Sequence, residues 1–147
     1  MSYRELVERL TEASEPSEEL DGLIALSLKT GELPDSAYWA AENVYGDPVN
    51  EWRSGGYGSY AFHSVQPYTA SLDAAIGLVE KVLPGWSWQS GKEIDPDGGF
   101  DFWTSLSPGE QPFPAELDIT VVHDHSEPIS IVLALLKALE AKEQSDD

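Results

Sequence analysis

The apolar positions near the amino terminus recur with the spacing of an α-helix. Ser2 and Glu5 have the spacing of a capping box, in which each side chain can bond an amide of the other's turn. Pro16 then interrupts the pattern, and Ser17 offers a second cap. The apolar stripes after the two caps are Leu6, Val7 and Leu10, and Leu20, Leu23, Ile24 and Leu28. We predict two helices in a hairpin, the second ending near Gly31.

The segment from residue 34 to residue 67 has no sustained hydrophobic period and is rich in glycine and aromatic residues. So long a segment without a period is uncommon in a compact domain. We therefore predict an irregular insertion over 34–67, in which a short strand across Tyr60 to Val65 is the alternative.

A helical period returns after residue 68 and is followed by alternating patterns. Thr69 or Ser71 caps a helix whose apolar positions are Leu72, Ala75, Ile76, Val79 and Leu83. Pro84 and Gly85 end it. Residues 86–89 and 100–105 alternate on either side of the turn at 95–99, which predicts a β-hairpin.

The last third of the chain predicts one more strand and the most buried helix. Leu117, Ile119 and Val121 alternate with polar neighbours, so that one face of this strand is apolar. The helix begins around residues 126–128, where proline is tolerated. Its stripe is Ile129, Val132, Leu133, Leu136 and Leu139, widened by Ile131 and Leu135. The acidic residues 143–147 are predicted to form a frayed tail.

These elements predict one α+β domain spanning residues 1–147. The expected order is helix, helix, irregular segment, helix, three strands, helix. We expect an antiparallel sheet of three strands, or four with Tyr60–Val65, covered by the four helices.

Parts of this pattern resemble a family of phage and prophage proteins, the phage ABA (alpha-beta-alpha) sandwich domain. The matching stretches are residues 15–21 leading into 24–26, the run from Pro67 to Ala75 that closes with residues 84–86, and the alanine- and leucine-rich last helix. The resemblance implies helices flanking a sheet and a phage or prophage setting. It implies no established activity and no catalytic residues.

Charge narrows the classes of partner. The formal net charge is -19, which repels phosphate backbones and anionic lipid, so we predict no direct nucleic-acid or membrane binding. Alternatively, the negative surface imitates the phosphate backbone of DNA and binds in the groove of a DNA-binding protein. The chain has no cysteine, no apolar leader at its start and no apolar run long enough to span a bilayer, and we expect a cytoplasmic protein of the host cell.

One candidate ligand site lies in the irregular segment. Arg53 is the only basic residue between Lys29 and Lys81, and it is followed by glycines that would let a backbone approach a ligand. Trp52 and Tyr57 could stack on a base. This pattern predicts that a small ligand or nucleotide, if one binds, contacts Trp52, Arg53 and Tyr57.

His123 and His125 form a candidate metal site, because alternation along a strand places both imidazoles on one face. His63 or a carboxylate could supply a third ligand. The alternative interpretation, which we favour, is that the strand ends here, that Asp124 and Ser126 form the turn and the helix cap, and that both histidines are partly exposed.

No catalytic motif stands out, and we expect no cofactor. We predict a non-enzymatic module that binds a host or phage protein through its acidic, aromatic-bearing surface. The alternatives are a small-ligand or nucleotide binder, an acidic DNA mimic and a metal-dependent enzyme. The sequence predicts no oligomeric state.

Overall fold

The computed structural model describes residues 2–56, 59–110 and 112–145. It has an α+β fold with four helices and two antiparallel three-stranded sheets, which confirms the predicted fold class. The elements are α1 Tyr3–Glu12, α2 Glu18–Leu28, β1 Tyr38–Glu42, β2 Pro48–Gly56, β3 Ser59–His63, α3 Leu72–Val82, β4 Ser87–Ile94, β5 Phe100–Ser107, a 3-10 turn Ala115–Leu117, β6 Ile119–His123 and α4 Glu127–Ser145.

Serine side chains cap the first three helices, as their positions in the sequence predict. The hydroxyl of Ser2 accepts a hydrogen bond from the amide of Glu5 at 3.2 Å. Ser17 and Ser71 accept in the same way from the amides three residues later. Of the two alternatives at α3, Ser71 is therefore the cap, and Thr69 has another role described below.

Helix α4 is the centre of the fold. It packs on the sheet β4–β5–β6, and α1 and α3 flank it. All residues from Ile129 to Leu136 are buried, so that the helix is covered around most of its circumference. The only polar side chain in that stretch, Ser130, has its hydroxyl 2.7 Å from that of Thr104 on β5, so burial leaves neither hydroxyl unpaired.

The prediction that residues 34–67 form an irregular insertion is wrong, because this segment forms a second antiparallel sheet. We call it sheet A; its strand order is β1-β2-β3. The predicted short strand Tyr60–Val65 corresponds to β3, which ends at His63. Alternation is weak in the sequence because sheet A buries little on either face, because β1 carries a bulge between Ala40 and Glu42, and because glycines end β2.

Sheet A is attached to the rest of the molecule through α2. The indole of Trp52 lies directly on Gly22, and a Cβ at that glycine would be 2.0 Å from Cε2 of the ring. Trp52 Nε1 donates to the carbonyl of Glu18 at 2.9 Å, and the ring of Trp39 meets it edge-on at 5.7 Å between centroids. A residue without a side chain in α2 therefore makes room for the anchor of a whole sheet.

One further prediction concerns the end of the last helix. The acidic tail predicted to fray from residue 143 is helical to Ser145, and residues 146 and 147 lie outside the described part of the chain. None of the described helices is both long enough and apolar enough to cross a membrane.

Candidate functional site

The outer face of sheet A, which points away from α2, carries three exposed rings around one arginine. Residues that pair directly across strands share a face. Arg53 on β2 pairs with Tyr38 on β1 and with Phe62 on β3, and Tyr60 pairs with Gly55 two residues further along β2. We call Tyr38, Arg53, Tyr60 and Phe62 the aromatic face. Its three rings are all exposed, and Phe62 is exposed to 73%.

Arg53 is the fixed centre of the aromatic face. Its Cζ lies 4.0 Å from the centroid of the Tyr60 ring, and Nη2 donates to Glu51 Oε1 at 3.2 Å. The side chain is 11% exposed, and its Nε is buried without a hydrogen-bond partner among the described residues. The hydrogen bond to Glu51 raises the pKa of Arg53, so the guanidinium stays charged at every physiological pH.

A cavity of about 500 Å³ opens beside Arg53 on this face. Its lining is Tyr38, Glu42, Asn43, Val44, Arg53, Gly56 and Tyr60. The lining contains one cation and one carboxylate, and Arg53 is already paired with the carboxylate of Glu51. The cavity therefore has no excess of positive charge for a phosphate, whereas its tyrosine and valine walls suit an apolar or aromatic group.

The structure separates Trp52 and Arg53, the two described residues of the three predicted to bind a small ligand. Trp52 is 3% exposed and points from sheet A toward α2, on the face opposite Arg53. Adjacent residues of a strand point to opposite faces, so Trp52 and Arg53 cannot contact one ligand from the same side. Tyr57 lies outside the described residues. Of the two described residues of this set, Arg53 lines the cavity and Trp52 does not.

The two histidines lie close together, with 6.0 Å between their ring centroids, but in different surroundings. His123 is buried, so the expectation that both histidines are partly exposed is wrong for this residue. Its Nε2 lies 3.2 Å from the carbonyl of Leu10, whereas Nδ1 accepts from the amides of His125 and Ser126 at 3.1 and 3.0 Å. Both ring nitrogens are thus occupied, and the imidazole joins α1 to the start of α4. His125 is half exposed beside Asp124, with 3.5 Å between Nε2 and Oδ2.

The predicted helix cap at this point is present. Ser126 accepts from the amide of Ile129 at 3.1 Å, as the favoured interpretation of the strand end requires. His63, the possible third ligand, lies on sheet A, where its Nε2 is 2.7 Å from the hydroxyl of Ser54. Within the described residues there is no group of three or more His, Cys, Asp or Glu side chains placed to hold a metal ion.

The run from Pro67 to Ala75 is explained by two hydrogen-bonded carboxylates. The buried Asp21 of α2 accepts from both the amide and the hydroxyl of Thr69 at 2.8 Å, and the Thr69 hydroxyl in turn accepts from the amide of Ser17 at 2.9 Å. The hydroxyl of Tyr68 donates to Glu32. These bonds tie the loop before α3 to both ends of α2, so the run has a structural role.

Burial and hydrogen bonding move the pKa values of this network in different directions. Burial raises the pKa of Asp21, and the two hydrogen bonds from Thr69 only partly oppose it. Partial burial would also raise the pKa of Glu32, but hydrogen bonds from Thr30 and Tyr68 outweigh it and leave the pKa lowered. Burial, and then the hydrogen bond to Glu32, raise the pKa of Tyr68. The phenol therefore stays protonated and the Glu32 carboxylate ionised at neutral pH.

We expect Asp21→Asn to stabilise the protein at pH 7 and to make its stability less dependent on pH. Because the pKa of Asp21 is higher in the folded than in the unfolded chain, its contribution to stability is complete below the unfolded pKa and is lost as the pH rises through the folded pKa. Asparagine keeps an acceptor for Thr69 and carries no charge. Urea unfolding of wild type and Asp21→Asn at pH 4 and pH 7 measures the difference in their free energies of unfolding. A larger gain in stability at pH 4 than at pH 7 would contradict the prediction.

Comparison with known proteins assigns the chain to no family. A scan against protein-family models, a search of curated proteins and a search of solved structures each found no match to the chain. The resemblance to the phage alpha-beta-alpha sandwich family therefore stays a prediction. The case for a function depends on the geometry of the aromatic face.

Proposed function

We propose that this protein is a non-enzymatic binding module whose aromatic face docks on a basic surface of a partner protein. The observation that carries the proposal is the aromatic face itself: three exposed rings surround a fixed arginine beside an open cavity. Tyrosine, phenylalanine and arginine are enriched at the centres of protein interfaces, where they supply most of the binding energy.

Charge indicates the kind of partner. The net charge of -19 attracts a basic surface over several ångströms and speeds its approach, while the close contacts are made by the rings. Glu42 and Glu51 lie beside the cavity and Arg53, so a partner with lysines or arginines around an apolar centre would complement both parts of the site. The same two carboxylates disfavour a nucleotide at this cavity.

The predicted setting completes the proposal. The resemblance of residues 67–75 to the phage family supports a phage or prophage protein that acts in the host cytoplasm on a host or phage protein. The test does not depend on that setting, because the aromatic face can be altered without touching the core.

We expect Phe62→Ser to abolish capture of the partner while Val122→Ser leaves it intact. Both side chains are exposed on strands, at 73% and 60%, but Val122 lies on β6, which belongs to the other sheet. Immobilised wild type and the two variants are incubated with host lysate at low and at high salt. Loss of an interface anchor costs at least about 1.4 kcal/mol, which is a tenfold loss of affinity.

The comparison has three readings. A partner that wild type and Val122→Ser retain at low salt, but that Phe62→Ser or high salt releases, supports the proposal. A partner bound equally by the two serine variants would show that the binding surface lies elsewhere. The absence of any salt-sensitive partner would also overturn the proposal.

A further inference from the structure

Strand β3 is a free edge of sheet A. It pairs with β2 on one side, and no other strand in the described part of the chain pairs with it on the other. Its residues from Ser59 to Phe62 are exposed. An unpaired edge presents a row of backbone N–H and C=O groups that another chain can bond, unless charged residues, proline or a cover prevents it.

β3 lacks the protection that the other edges have. Its sequence, Ser-Tyr-Ala-Phe-His, contains no proline, aspartate, glutamate, lysine or arginine. The edge strand β1 carries Glu42, and β4 carries Lys92 and Glu93. The fourth edge, β6, is bracketed by Asp118 and Asp124.

The distribution of charge makes a second copy an acceptable neighbour at this edge. Two chains that each carry -19 repel one another over most of their surfaces. Residues 52–72, however, contain no aspartate or glutamate and include the cation Arg53; this is the longest stretch of the chain without an acidic residue. β3 lies inside it, so repulsion between two copies is least where their β3 edges meet.

The order of side chains along β3 is also complementary to itself. In an antiparallel pair of β3 strands centred on Ala61, that alanine faces the Ala61 of the second copy, and Tyr60 faces the Phe62 of the second copy. Both aromatic residues lie on the aromatic face, so each pairing places two rings side by side. Ser59 would face His63 on the opposite side of the sheet.

We propose that two copies of this chain associate through their β3 strands and form a continuous six-stranded sheet. The contact uses the edge of sheet A, so the two aromatic faces join into one surface and remain open to a partner. Because β3 has only five residues, we expect the contact to bury less than the roughly 1,200 Å² typical of a stable interface. We therefore expect a weak dimer that forms as the concentration rises.

Sedimentation equilibrium from micromolar to near-millimolar protein, at low and at high salt, tests the proposal. We expect the weight-average mass to rise from that of the 16.1 kDa chain toward twice that value, and to rise sooner at high salt because screening reduces the repulsion. A monomer at every concentration and salt would overturn the proposal.

Variants at Ala61 test the register. Ala61→Asp places two carboxylates face to face at the centre of the pairing, and we expect this variant to remain monomeric. Val122→Asp introduces a carboxylate on the edge strand β6 of the other sheet, and we expect this control to dimerise. An equimolar mixture of Ala61→Asp and Ala61→Lys should recover the association. Undiminished dimerisation of Ala61→Asp, or no recovery in the mixture although circular dichroism shows both variants folded, would refute it.

This result is separable from the proposed function. A monomeric protein that still captures a partner through Phe62 would refute the dimer and leave the binding module intact. A dimer that captures no salt-sensitive partner would refute the binding module and leave the dimer intact.

Discussion

Gly22→Ala is expected to destabilise the protein by about 3 kcal/mol, because the new methyl group has no space in a well-packed core. A Cβ at residue 22 would lie 2.0 Å from Trp52 Cε2 and 2.1 Å from its Nε1. The ring cannot withdraw without breaking its hydrogen bond to the carbonyl of Glu18 and losing its contact with Trp39. Urea unfolding should show the lower free energy of unfolding, and the NMR resonance of the Trp52 indole should shift.

Gly77→Ala provides the matched control. Gly77 is also inside a helix, α3, but a Cβ there would meet nothing within 4 Å in the described part of the chain. Alanine is favoured over glycine in a helix, so this variant should be more stable by about 0.5–1 kcal/mol. If both variants shifted stability in the same direction, the contact between α2 and sheet A described here would be incorrect.

Leu135→Ala is expected to cost about 3–4 kcal/mol, since it removes a fully buried side chain from the central helix and leaves a cavity. Leu135 lies outside the main stripe of α4, and its burial shows that the helix is covered on more than one side. Lys137→Ala, two residues later on the exposed side of the same helix, should change the free energy of unfolding by less than about 0.5 kcal/mol. Equal effects of the two substitutions in chemical denaturation would contradict the central position of α4.

The elements with a strong local signal could be predicted from the sequence. The caps at Ser2 and Ser17 act on amides three residues away, and such a contact can be read from spacing alone. The width of the apolar stripe on α4 likewise predicts its burial, because no surface helix could expose Ile131 and Leu135 without cost.

Sheet A could not be predicted, because its stability comes from contacts distant in sequence. Trp52 is held by Gly22 and Glu18, which lie 30 and 34 residues earlier in the chain, and nothing near Trp52 indicates that a glycine in α2 contacts its ring. Its strands also lack the regular alternation of a half-buried sheet, since the aromatic face exposes Tyr38, Tyr60 and Phe62.

The candidate site was predicted in part. Arg53 was identified because it is the only cation in a long stretch, and it does lie at a cavity. Tyr38, Tyr60 and Phe62 were not assigned to a site, although period-two alternation from Arg53 across a predicted hairpin would have placed Tyr60 and Phe62 on its face. That inference needed the pairing of β2 with β3, which no alternation in the segment 34–67 predicted.

Hydroxyl-radical footprinting, read by mass spectrometry on the free protein and on its complex with the captured partner, shows directly whether the aromatic face is the binding surface. We expect Phe62 and Tyr60 to be oxidised rapidly in the free protein and to become protected in the complex, while Trp52 is protected in both. Rapid oxidation of Trp52 in the free protein, or an aromatic face that stays fully reactive in the complex, would contradict it.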